Sequence, residues 1–191
     1  MAQNTKGEII ACARRLFEAQ GYNGVSMRDI AKALDISVGN LTYHFKKKEA
    51  LIEAILLAPE ISQEKPPAPQ TLSQLRDYFL HSLEVQQTYA FYFDSYHQLA
   101  QTSPVLAQIQ QKMLEETTAD LDQAFALFRA AGLMSPEAYP GQHRALARAV
   151  TVLLMVRLPG EERRITGSDG IRAVLERLRS ILSPFFPEET P

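Results

Sequence analysis

Residues 26–49, SMRDIAKALDISVGNLTYHFKKKE, constrain this chain more than any other stretch. Two short helical patterns lie there, separated by a tight turn. Ser26 is placed to cap the first, with Asp29 three positions on, where a capping box needs its acceptor. Ile30, Ala31 and Leu34 then recur on one helical face. Asp35 and Ile36 interrupt the pattern, and Ser37 offers a second cap. The spacing predicts a further helix over Val38–His44, with Leu41 and Phe45 pointing inward. Two capped helices joined by a tight turn match a helix-turn-helix, whose second helix enters the DNA major groove.

The composition of the second helix agrees with that reading. Its outward positions are Val38, Gly39, Asn40, Thr42, Tyr43 and His44, small or hydrogen-bonding and without an acidic side chain. Lys46, Lys47 and Lys48 follow, where a phosphate backbone would run. An ordinary helical hairpin with a solvated lysine run is the competing reading.

The strings G-Y-N-G-V-S-M-R-D-I-A (residues 21–31) and I-S-V-G-N-L-T-Y-H-F-K-K-K-E-A-L (36–51) resemble the DNA-binding domain of the TetR family of transcriptional regulators. The shared pattern is a Gly-aromatic turn, a Ser or Thr cap, an Ile-Ala core pair, a Tyr-x-x-Phe-type ending and a Lys-Glu-x-Leu helix start. It spans roughly residues 5–55. Thr42 departs from it, standing where many members carry an aromatic residue, which is found here next door at Tyr43. With the helix Val38–His44 in a major groove, Asn40 and Thr42 are the candidates for base edges, and Val38 and Gly39 are near enough for apolar or close backbone contact. The resemblance assigns Ser26, Arg28, Tyr43, His44 and Lys48 to phosphates. It further implies a repressor, a homodimer and an inducer pocket in the body of the protein.

Charge and composition are compatible but do not decide the matter. Residues 1–58 hold eight basic against six acidic side chains and the remainder twelve against sixteen, a mildly basic head on an acidic body with a net charge of −2 overall. The opening MAQNTKGEII lacks the apolar core of a signal peptide, and no run is long enough to suggest a membrane span, so a cytoplasmic protein is expected. Cys12 is the one cysteine and sits within a helical pattern, reading as a small core residue. No cofactor or metal is expected.

An all-α fold is expected, with a three-helix DNA-binding domain over 1–50, a connecting helix and proline-rich linker over 51–70, and a helical ligand-binding and dimerisation domain over 71–191. Ile9, Ile10, Ala13, Leu16 and Phe17 predict a first helix from Thr5 to Gln20, closed by Gly21. A fourth helix starts near Lys48 and ends at Pro59, followed by prolines at 66, 67 and 69. Ser103-Pro104 signals a helix running to Ala131, with Gly132 beyond. Ser135-Pro136 repeats that signal until Pro140-Gly141. An apolar helix is expected over Gln142–Leu158, a polar loop from Pro159-Gly160, and a last helix from Ser168 to Leu182.

Leu146, Val150, Leu153 and Leu154 recur at heptad-like spacing, as do Val174, Leu178, Ile181 and Leu182, so these helices are expected to meet a second copy in a four-helix bundle. Tyr89, Tyr92, Phe93 and Tyr96 would share one face of a single helix, with His97 near. They read either as aromatic core or as a ligand pocket, because buried hydroxyls need partners and small-molecule sites combine apolar walls with few polar groups. Met113, Phe125, Phe128 and Met155 are further candidate liners for a small hydrophobic or aromatic inducer.

Two other function classes compete. One is a helical dimeric interaction module without operator binding. The other is an enzyme using Asp94 and His97, which stand three apart. The sequence lacks a nucleophile elbow, a Gly-rich phosphate loop and an H-E-x-x-H pair, so no catalytic residue is assigned.

Overall fold

The two serine caps set the first part of the structure. The computed structural model describes residues 5–58, 65–156 and 168–186. Helix α1 (Thr5–Gly24) carries the expected apolar stripe, and its helical path breaks at Gly21 (φ 71°, ψ 163°), a backbone conformation open to glycine and strained for other residues. Helix α2 (Met27–Ala33) starts from a complete capping box. Ser26 Oγ accepts from the Asp29 N–H at 3.2 Å, and the Ser26 N–H donates to Asp29 Oδ2 at 2.8 Å. Helix α3 (Val38–His44) starts at Ser37, whose Oγ accepts from the Asn40 N–H at 3.0 Å. Helix α4 (Lys48–Leu56) follows.

The remaining helices are α5 (Leu72–Thr88), α6 (Ala90–Phe93), α7 (Tyr96–Thr102), α8 (Pro104–Ala130), α9 (Gln142–Met155) and α10 (Ser168–Leu182), with a 3-10 turn over Ser183–Phe185. No strand occurs among the described residues. Ser103 caps α8 as expected, its Oγ accepting from the Leu106 N–H at 3.3 Å, and Gly132 (φ 75°) lies just past the end. Pro66, Pro67 and Pro69 are non-helical. Pro59 and the linker over 59–64 lie outside the described residues, as do Leu158 and the loop at Pro159-Gly160.

Two expectations are corrected. Ser135-Pro136 does not start a helix: the Ser135 N–H donates to the carbonyl of Phe185 at 2.8 Å, and Pro140 and Gly141 (φ 83°) come too soon for a helical turn to propagate. The aromatic stretch is not one helix. The path breaks at Tyr89 (φ −108°, ψ 35°) and again at Asp94-Ser95. Tyr89, Phe91, Tyr92 and Phe93 are all buried. A straight helix would turn one of these rings to water, and the broken path lets successive rings face inward.

The chain divides into two compact units, Met1–Lys65 with Tyr89–Ile109, and Pro66–Thr88 with Gln110–Pro191. In the first, Phe17 packs at ring-centroid distances of 5.8 Å from Tyr22 and 5.7 Å from Phe91. Ile9, Ile30, Leu41, Leu51 and Ile52 complete its centre. Polar interactions join the same pieces: Asn23 Nδ2 donates to Gln98 Oε1 (3.2 Å), Lys47 Nζ to the Thr102 carbonyl (3.4 Å), and Ser103 Oγ to Glu53 Oε1 (2.6 Å). The core of the second unit is built from Leu75, Phe79 and Leu83 of α5, Leu121, Phe125 and Phe128 of α8, Ala147 and Val150 of α9, and Leu178 and Leu182 of α10, closed by Phe186. Each large apolar side chain so buried stabilises its unit by about 1.5–3 kcal/mol.

Candidate nucleic-acid interface

The local sequence of α3 separates an anchor from an outward face. Leu41 is its buried residue, and Phe45, the C-cap, is buried just beyond. Ile30 and Ala31 of α2 supply the opposing apolar surface. The turn between the helices passes through Asp35 in the left-handed region (φ 53°), a conformation that Asp tolerates better than most side chains. The Ile36 N–H closes the turn on the carbonyl of Ala31 at 3.0 Å.

This scaffold leaves Val38, Gly39 and Asn40 exposed and Thr42 and His44 half-buried. Tyr43 is 78% exposed, its ring edge-on to that of His44 at 5.1 Å. Thr42 Oγ1 donates to the Gly39 carbonyl at 3.1 Å, leaving its lone pairs as the available function. Arg28 and Lys46 are exposed, and no acidic residue occurs in α3. The sequence-assigned base-edge residues thus stand together on one short helix, with Tyr43 and His44 at its end.

Two of the assigned phosphate residues have internal partners. Ser26 Oγ lies within 2.5 Å of Asp29 Oδ2 inside the capping box, and this hydrogen bond holds the Asp29 carboxyl below its ordinary range. Lys48 Nζ donates to the carbonyls of Tyr22 (2.7 Å) and Val25 (2.8 Å). Burial pushes the Lys48 ammonium down, with Glu49 opposing the shift. The Ser26–Asp29 pairing is the capping box that the sequence announces, whereas the Lys48 bonds have no sign in it, because they depend on where the turn at 21–25 returns.

The other assigned residues belong partly to the first unit and partly to the second. Tyr92, Phe93 and Tyr96 pack on one another, with Phe93 and Tyr96 nearly parallel (3°) at 6.3 Å, and burial raises the Tyr96 hydroxyl pKa. Tyr89 receives the Arg14 guanidinium over its ring at 5.0 Å. Asp94 and His97 are exposed. In the second unit, Phe125 and Phe128 pack edge-on to Phe186, Met155 is buried and Met113 is half-buried. Leu146, Val150, Leu154, Val174, Leu178 and Leu182, expected to face a second copy, lie in the core of their own subunit, where a buried side chain has little surface to offer a partner. Leu153 is half-buried and Ile181 is exposed.

An open cleft of about 400 Å³ in the second unit had no sign in the sequence; it is lined by Ala119, Asp122, Gln123, Ala126, Arg129, Glu137, Gly141 and His143. Glu137 accepts from the backbone N–H of His143 (2.9 Å) and Gly141 (3.4 Å) and pairs with Arg129 at 3.7 Å. Those backbone hydrogen bonds hold its carboxyl below the ordinary range. His143 is buried, with neither ring nitrogen hydrogen-bonded and Nδ1 4.0 Å from Glu137 Oε1. Burial depresses its pKa despite that carboxylate. Among the described residues no three His, Cys, Asp or Glu side chains are grouped to hold a metal, and no helix is long and apolar enough to cross a membrane.

Comparison with known proteins places this geometry. Residues 9–55 match the family described as "Bacterial regulatory proteins, tetR family", and residues 50–190 match "Bacterial transcriptional repressor". The HTH-type transcriptional regulator UidR of Escherichia coli K12 is 46% identical over 56 residues, a match spanning 29% of this chain and 29% of that protein. QacR of Staphylococcus aureus is 45% identical over 53 residues, 28% of each chain. These curated relatives are thus matched over less than a third of their own length. A TetR-family regulator from Marinobacter aquaeolei VT8 superposes with a TM-score of 0.78 at 21% identity, covering 97% of this chain and 93% of that one. SmeT, solved as a triclosan complex, superposes with a TM-score of 0.65 at 17% identity over 97% and 93% of the two chains. With one family description covering most of the chain and the other its helix-turn-helix, the protein belongs to the TetR family of bacterial transcriptional regulators.

Proposed function

We propose that this chain is a ligand-responsive repressor of transcription in the cytoplasm that binds a near-palindromic operator as a homodimer. The observation that carries the reading is α3, a capped helix anchored by Leu41 with Val38, Gly39, Asn40 and Thr42 turned outward and no acidic residue among them. On this reading Asn40 and Thr42 meet base edges, Val38 and Gly39 make close apolar or backbone contact, and Arg28, Tyr43 and His44 contact phosphates. The DNA-binding domain is 1–50, with 51–70 as the connector and 71–191 serving ligand and partner.

The homodimer is proposed to form through α9 and α10. Ala145, Ala149 and Val152 are exposed along one face of α9, with Val152 at 40%, and Ile181 of α10 is 36% exposed. Small and apolar side chains at such spacing suit close pairing of helices around a two-fold axis. The ligand is proposed to be a small hydrophobic or aromatic molecule, meeting the half-buried ring of Tyr96 that packs on Tyr92 and Phe93. Structural neighbours solved in complex with triclosan and with choline support ligand control. A ligand that prefers the form with displaced DNA-binding helices would weaken operator binding by its differential affinity.

The test is selection of bound sequences from a random DNA pool at physiological salt. A palindromic motif is the expected result, and Asn40→Ala should then relax the preference at one position in each half-site. Recovery of nothing above background, with or without added ligands, would overturn the reading.

A further inference from the structure

Lys48 stands at the start of α4 with its ammonium directed into the protein. Nζ bridges the carbonyls of Tyr22 (2.7 Å) and Val25 (2.8 Å) and lies 3.9 Å from the centroid of the Tyr22 ring. The hydroxyl of that ring donates to Glu49 Oε1, the next residue of α4, at 2.9 Å. The first turn of α4 therefore holds the 22–25 segment by its carbonyls, its ring face and its hydroxyl. Carbonyls at the end of a helix lack intrahelical partners, and an ammonium with three donors can satisfy two of them at once. The segment is buried at Tyr22 and Val25, so the bridge is shielded on one side from competing water. Val25 leads directly into Ser26, whose capping box fixes where α2 begins, and α2 packs beneath α3.

We propose that Lys48 is a positioning residue for DNA binding: by bridging the Tyr22 and Val25 carbonyls it sets the entry of α2, and hence the aim of α3, and it does not act as a phosphate contact. The inference rests on the DNA-binding reading above. Two of its three donors already have partners, and both lie on the protein. Tyr22 shares the role through Glu49, a side chain whose charge would repel a phosphate. Burial and this carboxylate raise the Tyr22 hydroxyl pKa, so it stays a donor throughout the working pH range.

The two roles separate by salt dependence. Removing a side chain that neutralises one phosphate reduces the slope of log K against log salt by about 0.9, whereas a misaimed helix weakens binding without that signature. The full chain, its Lys48→Met and Tyr22→Phe variants and a phosphate-binding control, Arg28→Ala, are titrated with the selected operator from 50 to 300 mM salt. Amide hydrogen exchange over residues 22–30 is measured in parallel without DNA. Lys48→Met is expected to weaken binding about tenfold or more with the wild-type slope and to lose protection at residues 26–30. Tyr22→Phe, which keeps the fold-defining ring, is expected to lose about two- to fivefold with the same slope, and this variant decides the matter if Lys48→Met does not fold. A shallower slope for Lys48→Met with protection intact, or wild-type affinity in Tyr22→Phe, overturns the proposal. If the wild-type chain binds no DNA while Lys48→Met still loses protection, it is the DNA-binding reading that has failed.

Discussion

Phe91 offers the sharpest test of how the first unit is built, because it lies more than seventy residues from the α1 side chain it touches. Its ring is buried at 5.7 Å from Phe17 and 6.2 Å from Tyr89. Phe91→Ala removes about 150–200 Å² of buried aromatic surface, about 4–5 kcal/mol by area. Residual structure in the unfolded chain lowers that figure, leaving about 3–4 kcal/mol, within the range seen when a buried Phe becomes Ala. At about 2–4 °C per kcal/mol for a chain of this size, the melting temperature should fall by about 6–16 °C. Hydrogen exchange locates the loss. Amides of α1 between Ile9 and Phe17 should lose protection, while those of α9 between Leu146 and Leu154 should keep it. Phe91→Leu should show the same pattern at about 1–2 kcal/mol. Unchanged protection in α1, or a loss centred on α9, would refute the assignment of residues 89–109 to the N-terminal unit.

Three further outcomes are expected. Ser37→Ala removes the acceptor for the Asn40 N–H and should cost about 1 kcal/mol by urea denaturation, with Ser37→Asp restoring most of it. His143 has a folded pKa below its ordinary 6.5, so the unfolded chain takes up the proton first. Its contribution to stability is therefore complete above about pH 6.5 and lost as pH falls from there toward the folded pKa. His143→Phe should flatten that part of the pH–melting profile, and an unchanged slope would contradict the burial argument. Val152→Asp, on the exposed face of α9, should shift sedimentation toward a monomer without lowering helicity.

The legible parts of this sequence were those governed by local rules. Ser26 with Asp29, Ser37 before Asn40 and Ser103 before Pro104 each announce a helix start through hydrogen bonds that span only a few residues, and each cap forms. Leu41, with Ile30 and Ala31, was legible from its 3.6-residue period. The aromatic stretch was misread as one helix because periodicity cannot see that Phe91, off the chosen face, has Phe17 waiting for it. Lys48 and the cleft around Glu137 and His143 depend on distant chain segments returning to the same place. The heptad-like leucines of α9 and α10 fit a subunit core as well as a partner's surface, and burial assigns Leu146, Val150, Leu178 and Leu182 to the core.

The division of labour within α3 has an evolutionary consequence. Leu41 alone faces the interior, while Val38, Gly39, Asn40 and Tyr43 face water. A duplicated gene could exchange the outward set, and with it the DNA sequence preferred, while inheriting the scaffold intact. Length cannot drift so freely. One residue added at the Asp35 turn would break the left-handed geometry there and the hydrogen bond from the Ile36 N–H to the Ala31 carbonyl that fix where α3 starts, carrying Leu41 out of its pocket and the outward residues away from the groove. Descendants of this chain should therefore vary by substitution along α3 while keeping the spacing between Ser26 and Phe45 fixed.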